Sequence, residues 1–284
     1  MAETNDVIEQ VIRPKKGWVP VDFRELWVYR ELFAFLAWRD ILVRYKQTVF
    51  GVLWAVIVPL INMVMFTVVF GHLAGMSENQ PDSYYVITYA ALIPWLYFSG
   101  SLDAGSQSLT GNAAMVTKIY FPRLIIPASV LLSGLVDMVI SLIVLGILML
   151  ITGTAIHVQI LLLPFLIAYA FLIAFGVSIW FAALNAKYRD VKHVVPFIVK
   201  VGVMLSPVGY RSAEVPEKWQ LLYSCNPLVG LIETFRYSIL GPGANGEYIP
   251  SGTAVGISVV LTIILVITGL KTFRQLEDQF ADYL

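Results

Sequence analysis

The chain has 284 residues, 58% of them hydrophobic and only 13% charged, with 19 basic and 19 acidic side chains that cancel. A mean hydropathy of +0.77 excludes an ordinary soluble domain, and the balanced charge gives no ground for a nucleic-acid partner. The lone cysteine, Cys225, excludes an intrachain disulfide and a cysteine metal cluster.

Residues 1–46 read as a cytoplasmic arm, polar at first and then mixing charge with aromatics (Trp27, Tyr29, Phe33, Phe35, Trp38). Residues 24–46 have no single clean polar face. That suits an interfacial helix wedged between lipid headgroups and protein, or two short helices with a bend. The last cations, Arg39, Arg44 and Lys46, run without a turn into an uncharged stretch from Gln47 to His72. About 20 apolar residues cross a bilayer core as a helix, and cations just before them hold that end inside. The stretch follows too long a charged segment to be a cleavable signal. The first span is drawn at 49–71.

Five more spans follow at 83–102, 129–152, within 158–186, at 194–210 and at 248–270. Their apolar runs are continuous and do not alternate as barrel strands do. The chain reads as an all-α membrane protein with a transmembrane domain over 47–272 and a cytoplasmic tail over 273–284. Between spans two and three, 103–123 passes from small polar residues to a short helix at 112–119, stopped before Pro122. It is a plain connector or a transmitter of motion from a soluble motor. Between spans five and six, 217–240 offers two short helices split around Asn226 and Pro227. At about 21 Å, a helix over 227–240 is too short to cross, and it is too apolar for a free loop. A re-entrant hairpin fits.

The remaining cations set the orientation. Segments expected inside hold Arg13, Lys15, Lys16, Arg24, Arg30, Lys118, Arg123, Lys187, Arg189, Lys192, Lys271 and Arg274. Those expected outside hold only Arg211, Lys218 and Arg236. Both termini are therefore expected in the cytoplasm, as six crossings require.

No catalytic or metal signature is present: no H-E-x-x-H, no G-x-S-x-G, no Cys/His pair at ligand spacing. His72, His157 and His193 read as interfacial residues. No G-x-x-x-x-G-K-S/T occurs either, so any ATP, with its magnesium, belongs on another chain. Asp137 and Lys200 fall inside expected spans, where they pair with each other or with backbone, or line a hydrated route. Glu233 and Arg236 are three apart and can pair on one helix face as a pin for a gate. On that reading, reversing Glu233 alone disturbs the gate and swapping both charges repairs it. Trp54, Phe66, Tyr89, Tyr169 and Trp180 serve helix packing, or offer flat ring faces to a sugar chain.

RDILVRYKQTVFGVLWAVIVPL resembles the start of the first span in type 2 ABC exporter permeases. KIYFPRLIIPAS resembles their coupling-helix region, NAKYRDVKHVVPF their fourth-to-fifth loop, and NPLVGLIETFRYSILG their gate helix. The four motifs are co-linear and cover most of residues 30–275. Within the family the chain is most similar to permeases exporting cell-surface polysaccharide, particularly lipid-linked O antigen, with teichoic acid and capsule exporters related.

That resemblance implies a homodimer in the bacterial inner membrane, bound to two copies of a separate ABC ATPase that carries ATP and magnesium. Undecaprenyl-linked polysaccharide would pass along the dimer axis among membrane lipids. Asn112, Met115 and Lys118 would belong to the coupling helix, Arg189 and Asp190 to a second inner contact, and Asn226, Pro227, Glu233 and Arg236 to an outer gate. Arg39, Arg44 and Lys46 would be positive-inside anchors or contacts for the substrate's phosphates. The competing classes are an ion-driven carrier, expected to show paired broken spans, a membrane enzyme acting on polyprenyl glycans, and an ABC exporter of lipids or drugs.

Overall fold

The computed structural model describes residues 23–46, 51–76, 81–243 and 246–283. Most of the polar arm, with Arg13, Lys15 and Lys16, and the first residues of the first expected span lie outside them. Every regular element among the described residues is a helix, and none of them is a strand. Two helices form the end of the arm, α1 (Phe23–Val28) and α2 (Arg30–Lys46). Tyr29 N–H still donates to Glu25 O, so the bend between them is slight. Trp27, Phe35 and Trp38 face outward while Leu36 and Ala37 are buried.

Among the described residues five helices are long and apolar enough to cross a membrane: Val52–Leu73, Tyr84–Gly111, Ile125–Thr152, Val158–Lys187 and Gly252–Glu277. The first comprises α3 (Val52–Phe66) and a π-helical continuation, Thr67–Leu73. The others are α4 (Pro81–Gly111), α6 (Ile125–Thr152), α7 (Leu163–Lys187), which follows a 3-10 turn, and α11 (Gly252–Glu277). The chain is a multi-pass membrane protein. Of the α4 window 78% is buried, against 22–28% in the other four, so α4 is the central helix about which the rest assemble.

Two expectations change. Residues 103–111, read as connector, are the last turns of α4. Nothing there breaks a helix, and Ser106 and Ser108 satisfy their hydroxyls on carbonyls three residues back, at 2.8 and 2.7 Å. Helices of 28 and 31 residues measure about 42 and 46 Å, so α6 and α4 overhang a hydrocarbon core about 30 Å thick. The span expected at 194–210 is helical only as α8 (Val191–Met204), whose 14 residues give about 21 Å. Pro207 has no N–H to continue the helix, and it biases Ser206 away from helical geometry.

Three short helices lie close to the expected segments: α5 (Ala113–Lys118), α9 (Glu217–Ser224) and α10 (Pro227–Leu240). A fourth, α12 (Phe280–Tyr283), stands in what was read as a plain tail. One apolar cluster fills the bundle between α3, α4, α6, α7, α8 and α10. A second joins α2, the end of α4, α5, α6, α7, α11 and α12. Helices α7 and α11 cross without side chains between them: a Cβ at Gly269 would lie 2.5 Å from Gly176 O. Small residues at such a crossing let two helices pack closely in lipid, where no hydrophobic force between them exists.

Candidate functional site

Two regions carry the polar chemistry, one at each end of α4. At the α5 end, α2 lies along the first half of α6. Arg44 and Tyr45 both donate to the Asp137 carboxylate, Arg44 as an ion pair. Burial, reinforced by that hydrogen bond, pushes the Tyr45 phenol well above its ordinary range and keeps it a donor. Asp137 is thus matched by the arm, and the expected pairing with Lys200 does not occur; Lys200 is exposed on α8. Sequence spacing could not find this partner, since the two residues stand 93 apart. These side chains border a cleft of about 410 Å³ whose walls come from α3, α4 and α6, among them Trp54, Ala55, Tyr97, Ser101 and Met138.

Arg39 is held by Asp40 at 2.8 Å and donates to Asn112 Oδ1 at 3.2 Å, which ties the arm to the residue that precedes α5. Asn112 in turn donates to Ser108 O at 2.9 Å. Lys46 is exposed at the end of α2. On α5, Val116 is buried, Met115 half-buried and Lys118 exposed; Arg189 and Asp190 are exposed in the turn between α7 and α8.

Both Arg44 and Asp137 keep more than a third of their side-chain surface open, so their pairing is partly screened. In a double-mutant cycle, Arg44→Met and Asp137→Leu should couple by about 0.5–1 kcal/mol in thermal or denaturant unfolding of the reconstituted protein. Lys200→Leu combined with Asp137→Leu should show no coupling.

At the other end, the chain beyond α8 is held by side chains from three directions. Its carbonyls would be orphaned where the helix stops. Met204 O accepts from Tyr210 Oη at 2.8 Å, and Leu205 O from Asn226 Nδ2 at 3.1 Å. Pro207 O accepts from Arg236 Nη2 at 2.7 Å, and Gly209 O from Tyr84 Oη at 2.6 Å. Asn226 serves twice, because its Oδ1 also caps α10 by accepting from Leu228 N–H at 3.0 Å. Pro227 follows at the first turn of that helix, where its missing N–H costs nothing.

This geometry corrects the expected Glu233–Arg236 pin. Arg236 is 3% exposed, and its Nη2 donates to the Pro207 carbonyl and more distantly to that of Val208, with no ion pair to Glu233. Around it lies a polar cleft of about 370 Å³ lined by Tyr84, Thr88, Arg211, Glu214 and Tyr248 among others. Arg211 bridges Glu214 and Glu247, each at 3.2 Å. Tyr84 and Arg211 were outside the expected gate set, and their carbonyl and carboxylate partners are set by tertiary contact.

The aromatic candidates scatter within the single chain. Phe66 stacks on Phe70 with centroids 5.6 Å apart, and Tyr89 is fully buried, so both are packing residues here. Tyr169 shares hydrogen bonds with Ser258 at 2.6 Å and Thr262 at 3.3 Å across the α7–α11 seam. Trp54 and Trp180 reach the surface, and Trp180 sits edge-on to Phe181.

Known proteins match this arrangement along almost its whole length. The O-antigen export system permease protein RfbA of Klebsiella pneumoniae is 28% identical over 255 residues, 89% of this chain and 95% of its own length. The protein of the same name from Myxococcus xanthus is 23% identical over 261 residues, covering 91% and 97%. The polysialic acid transport protein KpsM of Escherichia coli is 24% identical over 245 residues, covering 84% and 91%. Residues 31–240, from the arm helix through the end of α10, match the family described as ABC-2 type transporter. With that match spanning most of the bundle and including both polar ends, the chain belongs to the ABC-2 type transporter family.

Proposed function

We propose that this chain is the membrane-spanning permease of an ATP-driven exporter that moves lipid-linked polysaccharide, most specifically O antigen, out of the cytoplasm. The observation that carries this is the nearly full-length similarity to permeases named for O-antigen export, together with a family match that takes in the arm, α5 and α10. The similarity to a polysialic acid transport protein keeps capsule-type glycans as the neighbouring alternative.

On this reading the α5 end faces the cytoplasm of a bacterium and the α9–α10 end faces outward across the inner membrane. The excess of cations at the α5 end supports that orientation. Six crossings follow if α8 and the turns at 205–210 together make the fifth. That is supported by Lys187 lying against α12 at one end while Gly209 O is bound by Tyr84 at the other. Irregular backbone at membrane depth is tolerated when protein covers its polar groups, and those carbonyls are covered. Two permease copies would assemble with two ABC ATPase subunits holding ATP and magnesium. Helix α5 and the turn at Arg189 and Asp190 would meet them, and α9 and α10 would close the outer end as re-entrant gate helices. An undecaprenyl-linked glycan would approach at the arm. With Arg44 occupied by Asp137, Lys46 and the open part of Arg39 are the cations left for its phosphates.

Loss of the gene from its host should leave lipid-linked glycan on the inner leaflet, and purified permease should assemble with an ABC ATPase whose turnover that glycan stimulates. A chain that reaches the membrane but restores neither export nor stimulated turnover would refute the proposal.

A further inference from the structure

The short segment after α11 turns back onto the α5 end and closes on both loops that face it. Phe280 is fully buried, edge-on to Phe273 with ring centroids 5.2 Å apart. It shares an apolar cluster with Val116 of α5, Leu109 of α4, Phe121, and Ala186 of α7. Arg123, which follows α5, holds the turn: its guanidinium donates to Glu277 O and lies 5.9 Å over the Phe280 ring. The Glu277 carboxylate is held in turn by Arg274 at 2.6 Å. On the other side, Lys187 Nζ lies 5.3 Å from the Tyr188 ring and 6.0 Å from that of Tyr283.

Helix α5 has six residues, far fewer than a helix needs to persist alone, so its orientation depends on packing. Val116 is its one buried residue, and Phe280 is part of what Val116 packs into. The turn at 188–190 is likewise exposed, and Lys187 just before it meets Tyr283.

We propose that residues 278–283 are a brace that locks α5 and the 187–190 turn into one rigid platform, with Phe280 as its positioning residue. This rests on the proposed function for what the platform does, which is to receive the ATPase stroke on both loops together. Without the brace the two loops would yield separately, and ATP would be spent without matching export.

The test uses the full chain in nanodiscs and in proteoliposomes with its ATPase, comparing wild type, Phe280→Leu and Phe280→Ala. Amide hydrogen exchange over 113–123 and 187–191 should quicken by about tenfold or more in Phe280→Ala and stay near wild type in Phe280→Leu. Glycan exported per ATP hydrolysed should fall several-fold in the Ala variant at equal membrane abundance, and recover in Leu. Unchanged exchange in either loop, or faster exchange with wild-type export per ATP, overturns the proposal. If Phe280→Ala does not accumulate, Tyr283→Ala carries the same two readouts on the 187–190 side. Should wild type bind no ABC ATPase, the proposed function fails, while the exchange comparison still decides whether the brace exists.

Discussion

Arg236→Met is expected to abolish export and to lower stability by about 2–4 kcal/mol, because it strips a buried carbonyl of its charged donor and leaves it dry. The guanidinium reaches Pro207 O at 2.7 Å and Val208 O at 3.5 Å from one nitrogen, and Pro207 and Val208 are themselves buried. Arg236→Lys should rescue little, since the lysine ammonium stops short of the position from which Nη2 reaches Pro207 O. Glu233→Gln should cost much less, because Glu233 does not pair with Arg236. The double charge swap at 233 and 236 should not restore the protein, since the partner to be satisfied is backbone and cannot change sign. Thermal unfolding of the reconstituted protein, alongside export by each variant, checks this. A functional charge-swapped protein would show that the side-chain pair matters after all.

Gly269→Ala is the second large effect. The added methyl would meet Gly176 O at 2.5 Å and Ile179 Cγ1 at 2.9 Å. Backbone cannot swing aside, so α7 and α11 must separate. Forced overpacking of this kind costs about 1–3 kcal/mol, and it would also stretch the hydrogen bonds from Tyr169 to Ser258 and Thr262. Gly256→Ala on the same helix is the control. A Cβ there meets nothing within 4 Å, and replacing Gly by Ala within a helix is favourable by about 0.8–1 kcal/mol. Opposite shifts in unfolding midpoint are expected from these two changes; equal shifts would mean that propensity, not the crossing, governs both. Gly176→Ala would meet Val266 N at 2.9 Å in the same crossing, so its cost should not simply add to that of Gly269→Ala.

Both predictions depend on contacts between residues far apart in the chain, and that marks how far the sequence could be read. The long apolar runs, the cation bias, the short helix near 112–119 and the split at Asn226 and Pro227 are all local signals, and the helices stand close to where they put them. The extension of α4 through 103–111 was missed because serines and glycines read as loop, although their hydroxyls are satisfied inside the helix. The end of α8 at Met204 was missed because 205–210 stays apolar enough to pass for a span, and hydropathy does not register a backbone break.

What the amino-acid sequence determined alone is that the chain is helical, lies in a membrane and lacks the signatures of a catalytic centre, because hydropathy and composition act residue by residue. What only the tertiary structure decided is who satisfies whom. Asp137 takes Arg44 and Tyr45 instead of Lys200, Arg236 takes Pro207 and Val208 instead of Glu233, and Phe280 closes under Val116. In an apolar surrounding a buried polar group pairs with the nearest complementary group that folding brings up. That neighbour is set by how whole helices pack, which no spacing along the chain encodes.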